Sequence, residues 1–397
     1  MDKTTPQRMS ILTLSPQFRP ILGGYERAAE RLSGALAKLG VDVTVITERR
    51  ESFWPAHESA DGVAIHRLPC IYRPHIHMLS SLLAFAWFLL WRGRRFDVWH
   101  VHQYGLHALL AVALGKALRR PVVVKLTSAG EQGIGKTVSH LPLPRLSAAL
   151  LRRMAACVAT SRTTLEEALA FGIPPERVHL VGNGVDTRLF HPAPSPERLA
   201  ERESLGINAS GLIIFVGRLS PEKNPDGLLT AWQSAQKELP DGWRLMLLGD
   251  GPMRDTLNSA IESSGQGEYV RLAGNQKDVA RWMRAADVYV LTSHHEGLSN
   301  TTLEAMASGL PVITTRVSGS AETVGETGAG IVVDVGRMDQ LQAALIRLVR
   351  DAPLQEQMGR IGRAVVAEQY SIEHVAEAHL GLYQRLVAGA QKGRCNS

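Results

Sequence analysis

Short β-branched runs alternate with helix-patterned stretches along the whole chain, and no other feature limits its fold so strongly. In the first half the strand-like runs are 10–15, 42–47, 63–68, 97–102, 121–127, 157–160 and 178–182. The pattern restarts with 212–217, 243–249, 270–274, 287–293, 311–315 and 331–334. The clearest helical stretch, 24–39, stops at Gly40. Strands separated by helices need crossover connections, so they build parallel sheets with helices on both faces. The predicted class is α/β, with two Rossmann-like doubly wound domains facing each other across a cleft. Their predicted limits are 1–190 and 191–370, followed by a helical segment, 371–397, that packs back on the first domain. The boundary is read from the Asn183-Gly184 turn signal and from Pro192, Pro194 and Pro196, which interrupt regular structure.

Composition agrees with a two-domain globular chain: 397 residues, 45% hydrophobic and 21% charged. Cys70, Cys157 and Cys395 are too scattered for a disulfide framework or a metal cluster, which points to a reducing, cytoplasmic setting. The opening "MDKTTPQRMSILTLS" lacks the apolar core of a signal peptide. Met78–Trp91 is the most apolar stretch and is too short to span a bilayer, which takes about 20 residues. It reads as a helix buried in a domain. The alternative is a helix that touches the inner face of a membrane, because Arg92, Arg94 and Arg95 follow it. Residues 1–190 hold 24 Lys and Arg against 14 Asp and Glu, whereas the remainder is net acidic. A basic first half suits anionic lipid or phosphorylated substrates. Without interleaved aromatic residues it gives no nucleic-acid signature.

In doubly wound folds ligands gather at the carboxyl ends of strands. After the first strand, Gly23 and Gly24 precede a helix, where a backbone can approach an anion closely. No G-x-G-x-x-G follows that strand, which argues against a dinucleotide-dependent dehydrogenase. After 212–217, Gly217 leads to Arg218 and Lys223, two cations placed to hold a diphosphate. After 287–293 comes "HHEGLSNTTLEAMASGLPVITT", with Glu296 in a loop and Glu304 one turn inside a helix capped by Ser299 or Asn300. Gly309 ends that helix. Two carboxylates flanking the backbone amides of Leu298, Ser299 and Asn300 offer hydroxyl acceptors beside an anion cradle, a combination that fits a sugar joined to a diphosphate. Of the adjacent His294 and His295, the extended loop points one at most into the pocket.

These pieces resemble the retaining glycosyltransferases of family 4, which have the GT-B fold. The matching stretches include "GGYERAAERLSGALAKLGVDVTVIT", "VGNGVD", "FVGRLSPEKNPDGLL", "LMLLGDGP" and "SGSAETV", in family order over nearly the whole chain. The resemblance implies a nucleotide-sugar donor, a UDP-sugar or GDP-sugar such as GDP-mannose, and a lipid-linked or glycan acceptor in surface polysaccharide or glycolipid synthesis. It implies no cofactor and no metal. It places Glu296 and Gly297 by the donor sugar, Glu304 on the ribose, and Arg218 and Lys223 on the departing diphosphate. Gly23 and Gly24 would line the cleft, and the loop from Asn275-Gln276 would meet the base. Retention would follow from same-face attack, with the leaving phosphate taking the acceptor proton. The chain departs from the family at Leu126, where many members carry a histidine. His102, Thr127 and Ser128 are the remaining candidates there for acceptor or sugar contacts. His100 and His102 otherwise read as structural histidines.

Two rival readings share these residues, and a third rests on a separate stretch. A nucleotide-sugar epimerase or hydrolase would bind the same donor without an acceptor, and a non-catalytic descendant would only bind it. "GEQGIGKT", residues 130–137, satisfies the phosphate-loop spacing. Pro142 and Pro144 follow too soon for the long helix that an NTPase needs behind Lys136.

Overall fold

The computed structural model describes residues 8–395 apart from Leu22; the opening residues read above for a signal peptide lie partly outside them. The side chain of Cys395 is outside them too, while Cys70 and Cys157 are free thiols. The chain divides into two compact units, one running to Gly184 and resuming at Ile372, the other spanning Val185–Ser371.

The first unit is built on an eight-stranded sheet. Its strands are β1 (Ser10–Leu14), β2 (Asp42–Arg49), β3 (His57–Ala60), β4 (Val63–Pro69), β5 (Val98–His102), β6 (Val122–Leu126), β7 (Ala156–Ala159) and β8 (Val178–Leu180). They lie in the order β3-β4-β2-β1-β5-β6-β7-β8. All adjacent pairs are parallel except β3 with β4. The second unit has β9 (Gly211–Val216), β10 (Trp243–Leu248), β11 (Val270–Gly274), β12 (Val288–Leu291), β13 (Val312–Thr315) and β14 (Gly330–Val333). They form one parallel sheet in the order β11-β10-β9-β12-β13-β14. Strand order reverses beside β1 and beside β9, and the loops leaving these two strands are the ones singled out above.

Each predicted strand is found. The addition is β3, whose sequence "HESA" is polar and half exposed because it pairs only at the sheet edge. Pro196 does not interrupt structure: it sits in the first turn of the helix Ser195–Ser204, where a missing N–H costs nothing.

The Met78–Trp91 stretch forms the helix His77–Arg92, but the buried-helix expectation fails on one face. Ser81, Phe85, Phe88 and Leu89 are buried, whereas Leu79, Leu83, Trp87, Leu90 and Trp91 are exposed, Trp91 at 76%. A sheet covers one stripe of a helix, and this helix is apolar around most of its circumference.

On the opposite face of the first sheet pack the helices Gly24–Lys38 and Ile372–Cys395. Their interface contains a polar cluster: His100 and His102 from β5, Lys125 from β6, and His379 and Tyr383 from the C-terminal helix, all at most 2% exposed. His102 and Lys125 are register partners, which brings them side by side. The His100 and His102 rings lie 4.4 Å apart, and Tyr383 Oη is 2.7 Å from His100 Nδ1. His379 donates through Nδ1 to the Val375 carbonyl at 2.7 Å. Burial, together with the neighbouring Lys125 charge, pushes His379 down to about 3 and moves His100 and His102 in the same direction. Burial also lowers Lys125 to about 8.

A histidine kept neutral in the fold, but ordinary at 6.5 when unfolded, contributes fully above pH 6.5 and loses that contribution as pH falls below it. Each such group adds a slope of about 1.4 kcal/mol per pH unit. Urea midpoints should therefore drop steeply between pH 6.5 and 5, and His379→Leu should flatten the profile. A midpoint that is level across this range would contradict the buried neutral cluster.

Candidate functional site

In the second unit the carboxyl end of β9 is fixed by backbone contacts that only glycine permits. A Cβ on Gly249 would lie 1.9 Å from the Gly217 carbonyl oxygen, and one on Gly251 would lie 2.3 Å from that of Leu219. Gly249 also has φ +135°. These approaches let Leu219 N donate to the Asp250 carbonyl at 3.0 Å and hold Arg218 out as an exposed side chain.

The chain then turns through Pro221–Lys223 into the helix Pro225–Ala235. Asn224 makes that turn at φ 51° and caps the helix by accepting from Gly227 N at 3.2 Å. The loop after β12 is stitched to it. Thr292 Oγ1 lies 3.0 and 2.8 Å from the Lys223 and Asn224 carbonyl oxygens, and His294 N donates to the Glu222 carbonyl at 2.8 Å. The result is an ion pair between Lys223 Nζ and Glu296 Oε1, with side chains 24% and 12% exposed. Ser293 Oγ donates to the same carboxylate oxygen at 2.8 Å. Burial acts to raise the Glu222 carboxyl, but the Ser220 hydroxyl and the Lys223 and Arg218 cations outweigh it and hold the group below its ordinary range.

Glu304 sits where the sequence puts it, inside the helix Asn300–Ala307, and is 1% exposed. Ser299 is the cap, accepting from Thr302 N at 3.3 Å, and Gly309 ends the helix at φ +72°. Tyr289, fully buried beneath, donates to Thr301 Oγ1 at 2.7 Å. Its phenol is pushed up by burial first and then by the charges of Glu296 and Glu304, so both carboxylates act on one spot. Gly297 and Leu298 are buried between them, Ser299 and Asn300 are half-buried, His294 is half-buried and His295 exposed. The residues around these carboxylates and Lys223 include Asn224, Tyr289 and Ser293, which sequence reading missed. Asn224, directly before Pro225, was a readable cap signal.

In the first unit the glycine pair has a local explanation. A Cβ on Gly23 would lie 2.1 Å from Glu26 Oε2, because that carboxylate folds back over the turn at the helix start. Gly24 opens the helix. Ser128 Oγ lies 3.1 Å from the Tyr25 hydroxyl, joining the glycine turn to the end of β6, and Thr127 beside it is half-buried. His102 belongs to the buried cluster under the C-terminal helix, and Leu126 is packed on the other face of the sheet. Gln276 is engaged locally, donating to the Ala273 carbonyl at 2.5 Å. The phosphate-loop match does not make a phosphate loop. Its helix, Ile134–Ser139, is one and a half turns long, and Gly130 N already donates to Glu167 Oε1 at 2.6 Å.

Family models match both units. One, described as glycosyl transferases group 1, matches residues 180–365; the other, a glycosyl transferase 4-like domain, matches 23–184. A D-inositol 3-phosphate glycosyltransferase of Jonesia denitrificans is 27% identical, with 91% of each chain covered. A GDP-mannose-dependent alpha-mannosyltransferase of Mycobacterium tuberculosis is 27% identical, covering 94% of this chain and 96% of the relative. Among solved structures, Anabaena HepE with UDP and glucose superimposes with a TM-score of 0.78 at 19% identity, covering 95% of this chain and 100% of HepE. Sucrose-phosphate synthase from Thermosynechococcus elongatus gives 0.79 at 23%, covering 96% and 100%. These two likenesses concern the fold.

Gly319 ties the pocket loop to its support: at φ +78°, a Cβ there would lie 2.8 Å from the Gly297 carbonyl oxygen and 3.1 Å from Leu298 Cδ1. Gly319→Ala should lower stability by about 1–3 kcal/mol in urea titrations and displace the Glu296–Ser299 segment. An unchanged midpoint would show that this contact does not position the loop.

Proposed function

The chain belongs to glycosyltransferase family 4, with the GT-B fold, and from that premise we propose that it is a retaining hexosyltransferase using a UDP- or GDP-sugar. The observation that carries this reading is the Lys223–Glu296 pair at the facing ends of β9 and β12, with exposed Arg218 beside it and Glu304 buried in the next helix. Lys223 and Arg218 hold the diphosphate and offset the charge that develops as it leaves. Glu304 accepts from the ribose hydroxyls. Glu296, joined by the amides of Gly297, Leu298, Ser299 and Asn300, holds the sugar. The acceptor hydroxyl attacks the face from which the diphosphate departs and gives its proton to the leaving phosphate, so no protein base and no metal is required. In the first unit, Gly23, Gly24, Thr127 and Ser128 are the strand-end groups we assign to substrate. The M. tuberculosis relative is named for GDP-mannose and HepE was solved with UDP and glucose, which supports a nucleotide-sugar donor and leaves its base to experiment.

We assign the acceptor to lipid-linked or glycan substrates of surface polysaccharide or glycolipid assembly. The exposed apolar face of the helix His77–Arg92, followed by Arg92, Arg94 and Arg95, supports docking at the inner face of an anionic membrane. Among the described residues no helix is long and apolar enough to cross one. Vesicles containing phosphatidylglycerol should retain the wild-type protein at low salt and lose Trp87→Glu/Trp91→Glu; equal retention of both would remove the membrane role.

A panel of nucleotide-sugars with and without acceptors tests the reaction. Nucleoside diphosphate released only when an acceptor is present supports transfer, whereas isomerised or hydrolysed donor without acceptor supports the epimerase or hydrolase. Glu304→Ala should raise the donor KM, while Glu296→Ala should also lower kcat. Identical, affinity-only losses would refute this division of roles.

A further inference from the structure

The first unit has a cavity of about 500 Å³ at the amino ends of its strands, away from the loops discussed above. It lies between the turn that enters β6, residues 118–121, and the last turns of the helix Ile372–Cys395. Its walls bring together Lys116, Arg119, Arg120 and Arg385 and, among the described residues, contain no acidic side chain. Gly115, Pro121, Ala155, Leu386, Gly389 and Ala390 make up the rest of the lining.

Two features mark this as a built arrangement. The helix Leu106–Ala117 ends with Arg119 at φ 55°, the left-handed position where glycine or asparagine is ordinarily found. Holding a large cation in a disfavoured backbone state is the kind of strain that functional sites retain. In addition, the turn after the helix is fixed by its own hydrogen bonds. Leu118, Arg119 and Arg120 N–H groups donate to the Leu114, Lys116 and Gly115 carbonyls, which sets the backbone that carries the two arginines. Arg120 is anchored from behind: it meets Asp97 at 3.9 Å and donates to the Arg94 carbonyl.

We propose that this cavity binds a phosphate group, carried by a small phosphorylated molecule or by a phospholipid headgroup, and that the bound phosphate ties the C-terminal helix to the β6 turn. Lys116, Arg119 and Arg385 line the cavity with no carboxylate among its described lining residues, which suits a phosphate anion, and guanidinium forks bind phosphate oxygens in pairs; Arg120, held by Asp97 and the Arg94 carbonyl, adds its charge from behind. The link from Arg120 to Arg94 places the cavity next to the end of the apolar His77–Arg92 helix, which is where a headgroup would be presented. The site is separate from the donor residues, so donor turnover reports on a different part of the molecule.

The test uses the full chain and two variants. K116E/R385E reverses the charge, and Gly389→Leu fills the space. A Cβ at Gly389 would meet no atom within 4 Å, and the position is helical, so leucine there is expected to fold. Binding is measured by calorimetry and thermal shift with glycerol 3-phosphate, and by sedimentation with phosphatidylglycerol or phosphatidylcholine vesicles. Both variants should weaken phosphate binding at least tenfold while nucleotide-sugar turnover persists. If glycerol 3-phosphate shows this loss, a soluble phosphate ester is the ligand. If only phosphatidylglycerol vesicles show it, the ligand is the headgroup. If neither probe binds, or if both variants bind as the wild type does, the proposal is overturned.

Discussion

Burial of the central strands on both faces is the constraint from which the rest of this molecule follows. β5, β6, β7, β9, β12 and β13 have almost no accessible residue, so their side chains are committed to packing. A parallel strand in this position leaves room for ligand chemistry chiefly where the ladder ends. Backbone groups released there are captured by neighbouring loops, as when Leu219 N donates to the Asp250 carbonyl, and the glycines at 249 and 251 make the close approach sterically feasible. Loop geometry at the strand ends is therefore as determined as the sheet itself.

The Lys223–Glu296 pair shows what this precision serves. The ammonium pairs with a carboxylate oxygen that also accepts from Ser293. In the donor role we propose for it, an arriving diphosphate carries more negative charge than one carboxylate and competes for the ammonium. Glu296 then keeps Ser293 and gains lone pairs for sugar hydroxyls. On that proposal, one exchange of partners would turn the ion pair into a donor grip, with Glu296 then held by hydroxyl donors in place of the ammonium.

The sequence made some of this legible for identifiable reasons. Strands buried on both faces read as short, mostly apolar runs, and these were readable. Edge strand β3 was hidden because a short antiparallel pairing with β4 alone does not demand an apolar pattern. Ser299, Glu304 and Gly309 could be placed because capping and termination are local signals. Ser293 and Tyr289 could not, since their relation to Glu296 and Glu304 depends on loops brought together by the sheet. The helix His77–Arg92 was misjudged because apolar content reports what can be buried, while the width of the covering sheet decides what is.

The C-terminal helix shows most clearly how one segment answers to opposing demands. Its start is pressed against Gly184, where a Cβ would lie 2.4 Å from Ile372 Cδ1, so the glycine of "VGNGVD" is explained by helix return. Its middle brings His379 and Tyr383 onto His100, His102 and Lys125 in a layer that must remain largely uncharged to stay buried. Apolar residues of similar size would pack there at less electrostatic cost. A polar layer instead makes helix docking sensitive to protons and specific in register, because Tyr383 finds His100 Nδ1 in only one alignment. The same helix then reaches the cationic cavity near Arg385 and Gly389, where docking would gain from a bound phosphate. Its attachment thus rests on a buried polar layer that protons can disturb and, on the proposal above, would gain a second polar tie from a bound phosphate.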